Sequence, residues 1–329
     1  MATQETQQID AILSSRRAML AMGGTALAGL ALSTVGSKAE AQSTSTFTDT
    51  DILNFALNLE YLEANFYTLA AAGATIDQSA GGSLGIGAGT STTGGGAITV
   101  KSGGPTACKV PFTMPLIQAY ALEVALEERN HVTTLRSALG SSAVAQPVLD
   151  LVNSFVTLGN AVGVSNFDPF ANDLAFLLGS YIFEDVGVSA YHGAAPLITN
   201  KTSVLAPAVG IHAVEAYHAG LVRATIFNLD QTATALGPAG TLRTLSQKIS
   251  AARATLDGTA SKTPDDIGVG TVQVALQGTT ANFPASTLAD ADTNYLGWAR
   301  TPTQVLAIVY AGGSGKGGFF PNGLNGNIK

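Results

Sequence analysis

The chain has one cysteine, Cys108, in 329 residues. No disulfide can form within it, and a zinc site built on cysteine is excluded. Charge is scarce too: 12% of residues are Asp, Glu, Lys or Arg, against 46% hydrophobic, and the formal net charge is −7. Such a composition supports a large core rather than a disordered chain. The shortage of basic residues argues against nucleic-acid binding, which needs a positive surface. Past the first 36 residues no apolar run is long enough to span a bilayer. The length suits one large domain, or one domain with additions.

The N-terminus reads as an address rather than as fold. Arg16 and Arg17 precede a weakly apolar run, AMLAMGGTALAGLALSTVG (18–36), and AEAQ (39–42) puts small residues at the −3 and −1 positions of a cleavage site after Ala41. A positive segment, a short apolar segment and an A-x-A site together make a signal peptide over residues 1–41. The arginine pair, with Ser15 before it and Leu20 after it, resembles a twin-arginine (Tat) export signal. That resemblance implies the Tat export machinery as a partner, a periplasmic or secreted product, and a passenger that folds before export, often with its cofactor inserted.

Four segments of the mature chain carry helical periodicity. The first spans about 49–72, with Ile52, Phe55, Leu59, Leu62, Phe66 and Leu69 in register after a Thr/Asp-rich cap. The others span about 114–139, 169–191 and 203–230. The first pair is separated by a Gly-, Ser- and Thr-rich insertion (73–111), unusually long for a loop in a compact domain. The middle pair is separated by a long crossover with a short helix expected over 147–158, and the last pair by GAAPLITNKT (193–202). The expected fold is all-α, an antiparallel four-helix bundle over 42–230 with one long crossover. A C-terminal extension (231–329) follows, with a fifth helix over 239–258, a strand-like stretch over 269–278 and a buried helix over 301–313. Its tail, 313–329, is expected to pack Phe319 and Phe320 onto the bundle.

Glutamate is missing from most of the mature chain. Only Glu60, Glu63, Glu123, Glu127, Glu128, Glu184 and Glu215 remain after residue 41, all inside the four helical segments, and none follows Glu215. Glutamate is therefore not the solubilising acid of this surface, where it would alternate with lysine at i,i+4. Two segments hold Glu-x-x-His, EERNH (Glu128, His131) and EAYH (Glu215, His218). Residues three apart share one helix face and can converge on one ion. The other two helices supply Glu60 or Glu63, and Glu184, beside their apolar stripes. The order Glu, Glu-x-x-His, Glu, Glu-x-x-His offers six ligands for two metal ions. For Glu123, Glu127 and His212 the plain readings hold: two solvated acids and an imidazole the motif does not need.

The stretches NLEYLEANFY (58–67), ALEERNH (125–131), YIFEDVGVSAYHGAAPLI (181–198) and AVEAYHAGLVR (213–223) resemble the ferritin-like di-metal carboxylate family, including its secreted and desiccation-associated members. The resemblance covers about 49–230 and implies Glu60, Glu128, His131, Glu184, Glu215 and His218 as metal ligands. Glu60 is preferred over Glu63 because Tyr67 follows it by seven residues. Glu63, Tyr67, Asp185, His192 and Arg223 are then candidates to support the ligands. Carboxylate and imidazole donors suit iron, or alternatively manganese, with dioxygen or peroxide as substrate. The functions implied are a di-iron oxidase, ferroxidase or peroxide-handling protein, a manganese-catalase-like peroxide dismutase, or a non-catalytic protein of stress protection. A homo-oligomer is compatible with the resemblance; a ferritin-type cage is not expected, because the extension would obstruct it.

Overall fold

The computed structural model describes residues 47–78, 95–260, 266–275 and 282–329. The signal peptide expected over 1–41 and the middle of the Gly-rich insertion lie outside the described residues. Helix α1 (Asp49–Ala72) opens on a reciprocal cap: Asp51 N donates to Thr48 Oγ1 at 3.2 Å and Thr48 N donates to Asp51 Oδ2 at 2.9 Å. It stops at Gly73, whose φ of 69° a side chain would resist. Almost every residue from Ile52 to Ala70 is buried, so α1 is an inner helix rather than an amphipathic surface one. Its polar stripe makes that possible. Asn54 exchanges bonds with Ser142 O and Val144 N, Asn58 with Asn325 O and N, and Asn65 bonds Gln146 and Ile76 N. Side-chain amides here stand in for water and pin loops over the helix.

Helix α2 (Pro115–Leu139) starts on a proline at its first position, where no N–H is needed. A short parallel pair, β1 (Ile98–Thr99) with β2 (Leu149–Asp150), and helix α3 (Asn153–Val162) fill the connections before α4 (Asp173–Ala194). Asn172 caps α4, accepting from Ala175 N at 3.0 Å. Helix α5 (Ala206–Leu229) follows a π-turn over Lys201–Leu205. α1 packs on α2 and α4 on α5, the two pairs face each other, and the crossover lies between α2 and α4. The fold is thus the all-α ferritin-like bundle. Phe66, at its heart, meets the rings of Tyr67, Phe155, Phe170, Phe176 and Phe183 within 5.8 Å. Burying each such ring stabilises the fold by about 1.5–3 kcal/mol.

The extension contributes α6 (Thr241–Leu256), an antiparallel hairpin of β3 (Thr271–Ala275) with β4 (Asn282–Ser286), and α7 (Pro302–Val309). The Phe319 ring packs at 5.1 Å from Phe155 and 4.9 Å from Phe183. Several expected boundaries differ. The third bundle helix begins at Asp173 rather than Pro169, because Asn172 caps it there, and the last helix ends at Val309. The crossover helix begins at Asn153 rather than Pro147, because Leu149 and Asp150 are extended against Ile98 and Thr99. The fourth bundle helix begins at Ala206 rather than Ser203, because the Asn200 side chain accepts from Thr202 N and Ser203 N and holds a wider turn first. Among the described residues no helix is long and apolar enough to cross a membrane.

Candidate metal centre

The four bundle helices send seven ionisable side chains to one buried point: Glu60 and Glu63 from α1, Glu128 and His131 from α2, Glu184 from α4, and Glu215 and His218 from α5. None is more than 7% exposed. Glu60, Glu128, His131 and Glu215 bring ligand atoms within 4.8 Å of one another, and so do Glu184, Glu215 and His218. Glu215 belongs to both groups. Glu128 also serves both sides: its Oε2 lies 3.3 Å from His131 Nδ1 and its Oε1 3.1 Å from His218 Nδ1. Glu60 Oε2 stands 3.2 Å from His131 Nδ1, and Glu184 Oε2 3.4 Å from His218 Nδ1. The two rings are 6.4 Å apart. The arrangement is double, with two imidazoles outside and two carboxylates between.

Room for Glu215 comes from Gly187 on α4, where a Cβ would overlap Glu215 Oε2. Tyrosines orient the terminal carboxylates. Tyr67 Oη donates to Glu184 Oε1, joined by Tyr120 Oη at 3.4 Å, and Tyr191 Oη donates to Glu60 Oε1. On its outer side His218 Nε2 lies 2.7 Å from Glu127 Oε2, which fixes the ring and leaves Nδ1 for the interior.

Five carboxyls and two imidazoles cannot balance their own charge. Burial, with Glu128 nearby, pushes Glu63 and Glu215 well above the usual carboxylate range. Burial also raises Glu60, to about 7, against the pull of His131, and raises Glu184. Burial opposes the charged form of Glu128 as well, yet the two imidazoles outweigh it and hold this carboxylate low. The imidazoles resist burial in the same way: Glu60 and Glu128 lift His131 to about 11, and Glu184 and Glu128 lift His218 to about 12. Glu63 Oε2 and Glu215 Oε2 have no hydrogen-bond partner, while Glu128 Oε1 and Glu184 Oε2 share the single His218 Nδ1. A surplus of buried carboxyls over imidazoles, most of them held protonated until a cation replaces the protons, fits divalent cations of the iron and manganese type.

The structure brings Glu60, Glu128, His131, Glu184, Glu215 and His218 together, with Glu63 and Tyr67 against them. It does not bring Asp185, His192 or Arg223 there. Asp185 follows Glu184 by one residue, so it points about 100° away around the helix and accepts from Arg223 and Arg253, each at 2.9 Å. That pair opens a second buried network: Asp266 bonds Arg253 at 2.6 Å and Arg300 at 2.8 Å, and Asp257 bonds Arg300 at 2.9 Å. His192 turns to Trp298 O and stacks on His212. Glu127 corrects the plain reading of a solvated acid, since it holds His218. Tyr120 and Tyr191 were not singled out from the sequence. Tyr120 sits eight residues before Glu128 on α2, the one local signal available.

The family model described as Ferritin-like domain matches residues 48–228. The chain is 31% identical over 271 residues to Desiccation-related protein PCC13-62 of Craterostigma plantagineum, covering 80% of this chain and 78% of that protein. It is 28% identical over 291 residues to Ferritin-like catalase Nec2 of Nesocodon mauritianus, covering 85% and 84%. No solved structure matches at a significant level.

Proposed function

The chain belongs to the ferritin-like domain family, and from that premise we propose that its bundle holds a dinuclear centre, of iron or alternatively manganese, that handles peroxide. One observation carries the reading: Glu128 turns an oxygen to each imidazole and Glu215 joins both ligand groups, which supports two ions rather than one. Glu60 and His131 would hold one ion, Glu184 and His218 the other, with Glu128 and Glu215 between. When bound, such ions supply the change of oxidation state that peroxide disproportionation into water and dioxygen requires. The chain's own residues do the rest. Tyr191 and Tyr67 fix Glu60 and Glu184 by hydrogen bonds, so the ligands stay in place as charge changes. Glu63 lines a neighbouring cavity of about 20 Å3 with Glu60 and Glu215 and gives it a carboxyl that can hold or release a proton. Ile52, Phe55 and Leu59 make the other walls apolar, and a space of one or two water-sized molecules suits peroxide better than an organic substrate.

The name of the catalase relative supports this choice over ferroxidase chemistry. The test is oxygen evolution from hydrogen peroxide by the iron- and manganese-loaded chain. Activity that falls to background in Glu128→Ala and His218→Ala is expected; a metal-loaded wild type that evolves no oxygen would refute the reading. The desiccation-related relative favours a second reading, a protective protein in which bound metal is structural. It gains if His218→Ala protects a dried test enzyme as well as wild type does. Export of a folded passenger, with cleavage after Ala41 and a periplasmic or secreted destination, belongs to the same proposal and is supported by Arg16, Arg17 and AEAQ.

A further inference from the structure

Helix α5 turns a long face to solvent with no charge on it. Between Thr202 and Leu242 the Asp, Glu, Lys and Arg residues are Glu215, Arg223 and Asp230, and none of the three is more than 1% exposed. The outer side carries Ala206, Val209, Gly210, Ala213, Tyr217 and Leu221, all exposed. Tyr217 is 77% exposed and Val209 48%. A helix side that faces only water is ordinarily polar or charged. The glycines point the same way. At Gly210 and Gly220 an added Cβ meets nothing within 4 Å, whereas at Gly187 it would strike Glu215. The chain itself therefore gives no steric reason for either glycine. Glycine within a helix lowers its stability, and small residues on an outer side let a second helix backbone come close.

The face is complementary to itself. When an antiparallel copy lies on it with the twofold axis at the level of Glu215, the exposed residues fall into matched pairs. Tyr217 meets the partner's Ala213, Val209 the partner's Leu221, Gly210 the partner's Gly220, and Ala206 the partner's Ala224. A ring covers a methyl, two branched side chains touch, and the glycines leave room for the backbones. A twofold interface requires this reciprocity, residue i on j and j on i. The footprint is adequate as well. The 24 residues of α5 run about 36 Å at 1.5 Å per residue. With the adjoining ridge of α2, where Leu116 and Leu126 are exposed, a strip about 20 Å wide offers about 700 Å2 per copy, near the roughly 800 Å2 per partner of a standard interface. A lipid surface fits less well. The strip is mostly Ala and Gly, with little bulk to insert, and the exposed charge of α2, Glu123 with Glu127, is acidic.

We propose that two copies of the chain pair through antiparallel α5 helices in this register. Sedimentation equilibrium of the metal-loaded full chain tests it, and a dimer at micromolar concentration is expected. Ala213→Arg sets a bulky cation under the partner's Tyr217 and should raise the dimer dissociation constant about a hundredfold. Gly220→Leu holds the backbones apart and should raise it about tenfold or more. Both positions have open space within the chain, so helix content and metal content should stay at the wild-type level. Asn160→Arg, exposed on α3, serves as the control and should leave the dimer intact. The register has its own test. Cys108 is buried, so Ala213→Cys combined with Tyr217→Cys should link the copies by disulfides under mild oxidation. A wild type that sediments as a monomer, a dimer that survives both α5 variants, or no cross-link in a chain that sediments as a dimer would each overturn the proposal. So would flotation of a monomeric chain with neutral phospholipid vesicles. The readout does not involve peroxide, so it stands or falls apart from the metal chemistry.

Discussion

One helix position separates two kinds of buried charge. Glu184 faces the bundle interior and its carboxylate–imidazole cluster, while Asp185 faces the extension and joins the arginine network. The network closes on itself: Arg223, Arg253 and Arg300 meet Asp185, Asp266 and Asp257, and Asp290 adds no charge at neutral pH. The cluster does not close. Its five carboxyls exceed its two imidazoles, and Glu63 and Glu215 each keep an oxygen without a partner. Depth of burial is the same in both, so the difference lies in charge balance. A balanced set holds a fold together, whereas an unbalanced one is completed by cations or by protons.

Breaking the pairing in each place should therefore have opposite effects. Arg253→Met leaves Asp185 and Asp266 short of a partner and should cost about 3–5 kcal/mol of stability, measured by denaturant unfolding, with metal content per folded chain unchanged. Glu215→Gln removes one of several crowded carboxyls. In a chelator it should melt at or above the wild-type temperature, yet retain less metal. A fall in the metal-free melting temperature comparable to that of Arg253→Met would mean that the cluster is held by its own ion pairs.

Next in size is the response to metal itself. Saturating iron or manganese should stabilise the chain by about 4 kcal/mol at a thousandfold excess over the dissociation constant. The sign of its pH dependence follows from the protons the metal-free cluster holds. Glu60 has a folded pKa of about 7, above its ordinary 4.5. Its protonation favours the metal-free fold most at low pH, and that contribution is lost as pH rises through about 7. His131 and His218 are raised too, to about 11 and 12. Metal must expel these protons, so its affinity should fall as pH drops from 7 to 5, with proton release visible by calorimetry in buffers of different ionisation heat. Affinity that is independent of pH would place the ions elsewhere.

Smaller effects sharpen the contrast further. Gly187→Ala pushes against Glu215 Oε2 and should weaken metal binding about tenfold while shifting the melting temperature little. Asp290→Asn keeps the acceptor for Ile267 N and Trp298 Nε1 but removes a titrating group. Since the folded pKa of Asp290, about 8, exceeds the ordinary 3.8, wild-type stability should decline between about pH 4 and 8 on its account, and the variant should lack that share of the decline.

The sequence made the cluster legible and the network illegible for one physical reason. Glu128 with His131, and Glu215 with His218, are encoded by spacing within single helices, and the glutamates missing elsewhere marked them. Partners brought in from another element carry no such spacing. Glu127 meets His218 across 91 positions, Tyr191 meets Glu60 across 131, and Arg300 meets Ser189 across 111. Asp185 and Arg223 were near the ligands in sequence, but one step around a helix is enough to face a different neighbour. The four long helices followed from their periodicity. The β1–β2 pair did not, because two-residue strands have no pattern to read.

The central claim is that two ions share Glu128 and Glu215. Anomalous diffraction at the iron and manganese edges, on crystals of the chain purified with its metal, tests it most directly. Two peaks are predicted, one beside His131 and Glu60 and the other beside His218 and Glu184, with both shared carboxylates between them. No peak at the cluster, or a single peak bound by one Glu-x-x-His alone, would contradict the account.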